Sequence, residues 1–238
     1  MQNKNKFFDN TVNNLLLSKK IFTPNLTTKL SYEVAMKYVK NNSSILDLGC
    51  GSGILGIMIK KKNKSINIFS SDVDKNAVEY AKKNFKKNKI IGDIRASNLF
   101  EKWGAIKFDY ILNDVSGISS TIAKKSPWFK KIVPCDTGVN GTNLSNKIIR
   151  NSKKHLKKGG VVQMPLISLS NIDKTIALAK KNFSYVAIIK KVDWFFPSEL
   201  MHLKKDMILL KKKKAIFFEE KFSQIICSTS IMICKGAK

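Results

Sequence analysis

Arginine is almost absent. Arg95 and Arg150 are the only two among 44 basic residues, and 17 acidic residues leave a formal net charge of +27. A surface shaped to grip phosphate esters usually recruits the bidentate guanidinium fork. The charge therefore permits a polyanionic partner such as RNA without requiring one. Lysine, asparagine and isoleucine share AT-rich codons, and a base-composition bias is a sufficient source for much of the excess. Cysteine is sparse: Cys50, Cys135, Cys227 and Cys234 form no CxxC pair. That spacing excludes a disulfide framework or a zinc ribbon and fits a reducing cytoplasm. Histidine is sparser still, with His155 and His202 standing alone on lysine-rich stretches expected to face solvent. No metal-ligand cluster, Ser/His/Asp constellation or GxxxxGKS loop is present, so no metal is expected in the chemistry. No apolar run approaches the roughly 18 residues that span a bilayer. The opening MQNKNKFFDNTVNN lacks the apolar block of a secretory signal, so a cytoplasmic protein without a membrane partner is expected.

What is present is alternation. With 43% hydrophobic residues over 238 positions the chain has material for one substantial core. Short apolar runs (ILDL at 45–48, INIFS at 66–70, IIGDIRA at 90–96, FDYILN at 108–113) alternate with amphipathic segments starting near Ile54 and Lys75. Later come a helical stretch over 143–156, GGVVQMPLI (159–167), a helix over 171–182, YVAIIKKV (185–192) and QIICSTSIMIC (224–234). Strand–helix alternation specifies a mostly parallel sheet covered on both faces. The expected fold is α/β: a Rossmann-like, mostly parallel seven-stranded sheet with helices on both faces and an antiparallel last strand. Residues 1–23 read as a helical arm and 24–238 as one domain. A helical insertion is expected at about 194–222, because that connection is far longer than a hairpin needs. Within it Leu200, Leu203, Met207 and Leu210 share one helical face, with Lys204, Lys205 and Lys211 to Lys214 available for a macromolecular substrate.

The richest stretch is ILDLGCGSGILG, Ile45 to Gly56. A buried strand, a glycine turn and a helix bring backbone N–H groups close to a ligand at a helix N-terminus. Gly51, Gly53 and Gly56 formally satisfy GxGxxG, the dinucleotide fingerprint. Asp47 and Gly49 precede them, however, and a carboxylate there would oppose a pyrophosphate. It suits a ligand carrying an ammonium group and a sulfonium. Nineteen residues beyond Gly53, Asp72 stands at the tip of the second strand, where an acid can accept both ribose hydroxyls. Asp74 is its rival, and reads also as the N-cap of the next helix.

ILDLGCGSG resembles the first motif of class I S-adenosylmethionine-dependent methyltransferases. The resemblance implies that Gly49, Gly51 and Gly53 line the methionine part of S-adenosylmethionine with Asp47 near its amino group. It also puts Asp72, five residues before Ala77-Val78, on the ribose. RASNLFEKW resembles the family's Asp-Leu-Phe stretch with Asn98 in place of the acid. An amide oxygen there still accepts from the adenine amino group. Over roughly residues 21–168 the chain is most similar to the release-factor glutamine methyltransferases and the small-domain methyltransferase group. IFTPNLTTKL carries Pro24, Thr28 and Leu30 at matching offsets, with Thr27 replacing an acid. GVNGTNLSNKIIRNSKKHLKKGGVV matches their Gly-x-Asp-Gly loop, helix and strand, with Asn140 for Asp. Their Asn-Pro-Pro-Tyr clamp is replaced by Asn113-Asp114-Val115-Ser116.

Asn113 and Asp114 are the candidate catalytic residues. Asp114 is read either as a general base or as a cap of the following helix, and Ser116 as a cap. Trp128 and Phe129 are expected over the acceptor site, able to replace the missing stacking residue, in a loop that also carries Cys135. Together these residues point to a methyltransferase acting on a macromolecular component of translation, a protein before RNA. The alternative is a nucleic-acid-binding protein that keeps the cofactor fold without activity.

Overall fold

The computed structural model describes residues 2–18, 21–129 and 135–238. Helix α1 (Gln2–Asn13) is followed by α2 (Leu26–Tyr38). Asn25 starts α2: its side chain accepts from the Thr27 and Thr28 amides while Thr28 Oγ1 accepts from the Asn25 amide, a reciprocal capping box. Then β1 (Ser44–Leu48), α3 (Ile54–Lys62), β2 (Asn67–Asp72), α4 (Lys75–Lys87), β3 (Asp93–Ala96) and β4 (Phe108–Asn113) succeed one another. A short α5 (Ser120–Lys125) precedes α6 (Asn143–Ser152), β5 (Leu156–Ile167), α7 (Ile172–Asn182) and β6 (Phe183–Phe195). A 3-10 turn over Ser198–Leu203 runs into α8 (Lys204–Lys212), before β7 (Glu219–Lys221) and β8 (Gln224–Ala237).

The strand order is β3-β2-β1-β4-β5-β8-β6, with β7 pairing off this path to β8. Strands β1 to β5 run parallel, and β8 is antiparallel to both β5 and β6. The expected α/β sheet with its antiparallel last strand is this one. It gains β7 as an additional short strand. Glu219-Glu220-Lys221 has no apolar residue, so no alternation marked it in advance.

Alternation along each strand divides the core by face. Ile45, Tyr110, Leu112, Ile231 and Ile233 pack towards α2 and α3. Leu46, Leu48, Ile111, Met232 and Cys234 pack on the opposite side towards α6 and α7. A third cluster joins Leu200, Leu203, Met207 and Leu210 of the 194–222 segment to Ile118 and Ile122 around α5. All four apolar residues expected on one face of that segment are buried.

One expectation is overturned in the second core. His155 does not face solvent. It is buried, its ring lies parallel on Phe100 at 4.6 Å between centroids, and Nδ1 sits 3.2 Å from the Ile106 carbonyl. A 3-10 turn over Lys153–His155 ends the helix early and rotates His155 inward. His202 is exposed, as its surroundings indicate.

Candidate functional site

The strand order reverses between β1 and β4, and a cavity of about 390 Å³ opens at the carboxyl ends of these strands. That is where open α/β sheets bind ligands, and the volume falls in the range of small-molecule sites. Three segments leave the sheet into it: the glycine loop after β1, Asp72 closing β2, and Asp114 just past β4. Residues Ile21, Phe22, Pro24 and Asn25 before α2 form part of its wall, which the sequence did not announce.

Each glycine of the loop has its own reason. Gly49, Gly51 and Gly53 have φ of +71°, +52° and +81°, the left-handed region. A Cβ on Gly49 would stand 2.7 Å from Val115 Cγ1, so this glycine lets the β1 and β4 loops close on each other. A Cβ on Gly51 would meet no protein atom within 4 Å, and Gly51 lines the cavity. Gly53 is not on the cavity wall; a Cβ there would be 2.9 Å from Phe85 of α4. Of the three glycines expected to line the ligand, Gly53 serves packing of the loop on α4. Gly51→Ala is therefore expected to weaken ligand binding more than tenfold through the methyl that intrudes on the cavity. Gly53→Ala should chiefly lower the melting temperature. Calorimetry and thermal unfolding of both variants test this, and the reverse pattern would exchange their assignments.

Asp72 is half-buried on the cavity wall. Its Oδ2 accepts from the Gly51 amide at 2.9 Å and its Oδ1 from the Asp74 amide at 3.0 Å, which aims the carboxylate across the glycine loop. Burial raises its pKa, while the Asp74, Gly51 and Val73 amides oppose the rise. Asp74, its rival, accepts from the Asn76 amide and caps α4. Asn98 lies exposed at the rim; its Nδ2 donates to Glu101 Oε1 at 2.8 Å, leaving Oδ1 as an acceptor. Asp47 is fully buried beneath the loop rather than on the wall, and neither of its oxygens has a hydrogen-bond partner among the described residues. Desolvation first, then the charges of Asp114 and Asp72, drive its pKa well above the ordinary carboxylate value. The Cys50 thiol, which lines the cavity, is likewise pushed well up, chiefly by burial, and so stays protonated.

On the β4 side the structure separates the two candidate catalytic residues. Asn113 is buried in the sheet: Nδ2 donates to the Gln163 carbonyl of β5 at 3.0 Å, and the residue does not reach the cavity. Asp114 does line it, so Asp114 rather than Asn113 faces a ligand. Asp114 is not the cap of the following helix, since α5 has Ser119 at its N-cap, and its Oδ2 accepts from Thr28 Oγ1 at 2.7 Å. Desolvation pushes the Asp114 carboxyl up to about 6, against the lowering effect of Thr28. Ser116 is not a cap either: its buried hydroxyl has no partner among the described residues, and the residue lines the cavity. Trp128 and Phe129 are on the wall as expected, Trp128 edge-on to Trp194 at 6.1 Å and to Phe196 at 5.8 Å, and Phe129 against Phe22 at 5.6 Å. Cys135 is half-buried against the third core cluster instead.

Among the described residues no group of three or more His, Cys, Asp or Glu is arranged to hold a metal ion, and no helix is long and apolar enough to cross a membrane. The lysines of the 194–222 segment are partly engaged within the chain. Lys204 pairs with Glu220, and Lys211 donates to the Phe218 carbonyl at 2.7 Å while lying over its ring. Lys125 of α5 is bridged to Asp206 of α8 at 2.6 Å.

Known proteins place this geometry in a family setting. A ribosomal protein L11 methyltransferase of Thermosipho melanesiensis is 42% identical over 89 residues, 37% of this chain and 34% of that protein. The ribosomal RNA small subunit methyltransferase C of Haemophilus influenzae is 30% identical over 125 residues, 52% of this chain and 32% of that protein. The chain thus spans about a third of the length of these curated relatives. A methyltransferase crystal structure from Pyrococcus furiosus shares the fold, with a TM-score of 0.59 at 13% identity over 99% of this chain and 100% of that one. The fold is thus shared with a solved methyltransferase, and residues 27–114, from the first turn of α2 to just past β4, match the family model of the Methyltransferase small domain.

Proposed function

We propose that this chain is an S-adenosylmethionine-dependent methyltransferase whose acceptor is a nitrogen on a component of the translation apparatus. The observation that carries this reading is the cavity's polarity. Inside a chain of net charge +27, carboxylates flank the glycine loop on both sides, Asp72 at the β2 tip and Asp114 beyond β4, with Asp47 buried below. That field favours a ligand with a sulfonium and an ammonium and opposes a pyrophosphate. The residues fit S-adenosylmethionine: the Gly51 backbone is open to the cavity, Asp72 has lone pairs left for ribose hydroxyls, and Asn98 Oδ1 is available to the adenine amine. When bound, the cofactor supplies an electrophilic methyl group that needs in-line approach and no Lewis acid. Asp47, set back from the wall, makes no contact with the amino group.

On the acceptor side Trp128, Phe129 and Trp194 exclude water and hold the incoming group. The nitrogen that gains the methyl must shed a proton, and Asp114, held by Thr28, is placed to take it. Calorimetry should show S-adenosylhomocysteine binding and no NAD binding. The opposite result would overturn the cofactor reading. Labelled S-adenosylmethionine incubated with ribosomal fractions, with and without protease or nuclease, identifies the acceptor. EDTA should leave that transfer intact.

A protein acceptor is the first reading, since the relative with 42% identity is named for a ribosomal protein. The charge of +27 favours a second, an RNA acceptor. Changing Lys205, Lys212, Lys213 and Lys214 to Gln separates them, these being exposed and, unlike Lys204 and Lys211, not used to hold the segment together. For RNA, binding should weaken and its salt slope should fall by about 0.7–0.9 for each phosphate no longer neutralised. An unchanged slope points to the protein.

A further inference from the structure

Helix α4 buries Ala77, Val78, Ala81 and Phe85 on one face, and among them lies Asn84, with no exposed surface. An amide there is disfavoured twice, by helix propensity and by desolvation, unless every polar atom finds a partner. It does. Oδ1 accepts from the Leu16 amide at 2.7 Å, and Nδ2 donates to the Leu16 carbonyl at 3.1 Å and to the Ser52 carbonyl at 3.0 Å. One side chain thus pairs with both main-chain groups of Leu16, 68 residues away, as a neighbouring strand would. The same side chain holds the carbonyl of the residue between Gly51 and Gly53.

Leu16 belongs to the segment between α1 and α2. Leu15 is buried in the first core cluster, and the Ile21 amide donates to the Ser18 carbonyl. Beyond it Ile21, Phe22, Pro24 and Asn25 line the cavity, and Phe22 meets Phe129 of the acceptor side. Asn84 therefore ties together two parts of the chain that lead to the cavity lining, the glycine loop at Ser52 and, at Leu16, the segment that runs on to Ile21, Phe22, Pro24 and Asn25. Leu16 itself is 41% exposed, so apolar burial does not fix its backbone; the Asn84 amide does.

We propose that Asn84 is a positioning residue for the cofactor: it sets the distance between the glycine loop and the wall formed by Ile21 to Asn25, so that the loop and the wall close on the ligand as one unit. The proposal rests on the cofactor reading of the cavity. It assigns Asn84 no contact with the ligand, since Asn84 is not on the cavity wall.

The test is a double-mutant cycle read by calorimetry with S-adenosylhomocysteine. Asn84→Ala should weaken binding about 10-fold or more, since it releases hydrogen bonds at both ends of the clasp. Phe22→Ala removes a wall side chain without touching Asn84. If Asn84 acts through the wall, adding Asn84→Ala to Phe22→Ala should cost less than about threefold more, because the wall is already breached. Amide hydrogen exchange gives the second readout. Ligand should slow exchange of the Leu16 and Phe22 amides in the native chain and not in Asn84→Ala, with β1 and β4 amides protected equally in both. If Asn84→Ala fails to fold, Leu16→Pro removes one donor to Asn84 at an exposed position and should reproduce the affinity loss. Native protein that does not bind S-adenosylhomocysteine overturns the cofactor reading. Native binding matched by unchanged affinity in Asn84→Ala or Leu16→Pro, or a fully multiplicative cycle, overturns the role of Asn84 alone.

Discussion

Asp114→Asn is expected to lower kcat by roughly 10²–10⁴-fold, the usual contribution of a positioned proton acceptor, while making the protein more stable at neutral pH. The two effects have one cause. Burial lifts the Asp114 carboxyl to about 6 from an ordinary value of 3.8. A raised acid favours the folded state fully only below its unfolded pKa, and that contribution is lost as pH rises through the folded one. Between about pH 4 and pH 6 the native protein therefore accumulates a penalty of about 3 kcal/mol at Asp114. Asparagine keeps an oxygen for Thr28 Oγ1 and carries no charge. Thermal unfolding should show the variant ahead at pH 8 and the gap closing towards pH 4. Single-turnover rates of the native enzyme should rise through about pH 6 as the carboxyl ionises, and the variant should lose this limb. An undiminished rate with the same pH profile would remove Asp114 from the chemistry.

Asp72→Ala is expected to weaken S-adenosylhomocysteine binding by about 100-fold or more. Two charge-assisted hydrogen bonds to ribose, each of roughly 1.5–3 kcal/mol, disappear together. The Gly51 and Asp74 amides also lose their acceptor, so the loop that cradles the ligand loosens. Asp74→Ala is the control: it should cost about 1 kcal/mol of helix-cap stability and little affinity. Because burial raises the Asp72 pKa, affinity should begin to fall at a higher pH than for an ordinary aspartate as conditions become acid. Equal affinity losses in the two variants would move the ribose contact off Asp72.

The glycine loop, the Asp74 cap and the strand rhythm were legible because each is written locally. A left-handed turn needs glycine, a cap needs a short acceptor before a helix, and a buried parallel strand needs an unbroken apolar run. What escaped depends on partners far away in sequence. Alternation shows that Asn113 and Asp114 face opposite ways, but Gln163 and Thr28, 50 and 86 residues off, decide which one meets the cavity. Gly51 and Gly53 look equivalent in the motif, and Phe85 with Ala81 of α4 separates a ligand-facing glycine from a packing one. Asn84 left a weak signal, an amide on the apolar face of α4, whose meaning required Leu16 and Ser52.

The position of β8 has a consequence for how the chain is made. It hydrogen-bonds between β5 and β6, yet it comes after both in sequence. At about 5–20 residues per second, the ribosome extrudes β6 several seconds before the strand that will hold it. Over that interval β1 to β5 with the glycine loop have all their sequence, while the apolar edge of β5 (Val162, Met164, Leu166) stands unpaired. An uncovered edge of this kind templates association with other chains. A nonsense codon between β6 and β8 should therefore yield a nascent product that aggregates or needs a chaperone, rather than a shortened enzyme with a working cofactor half.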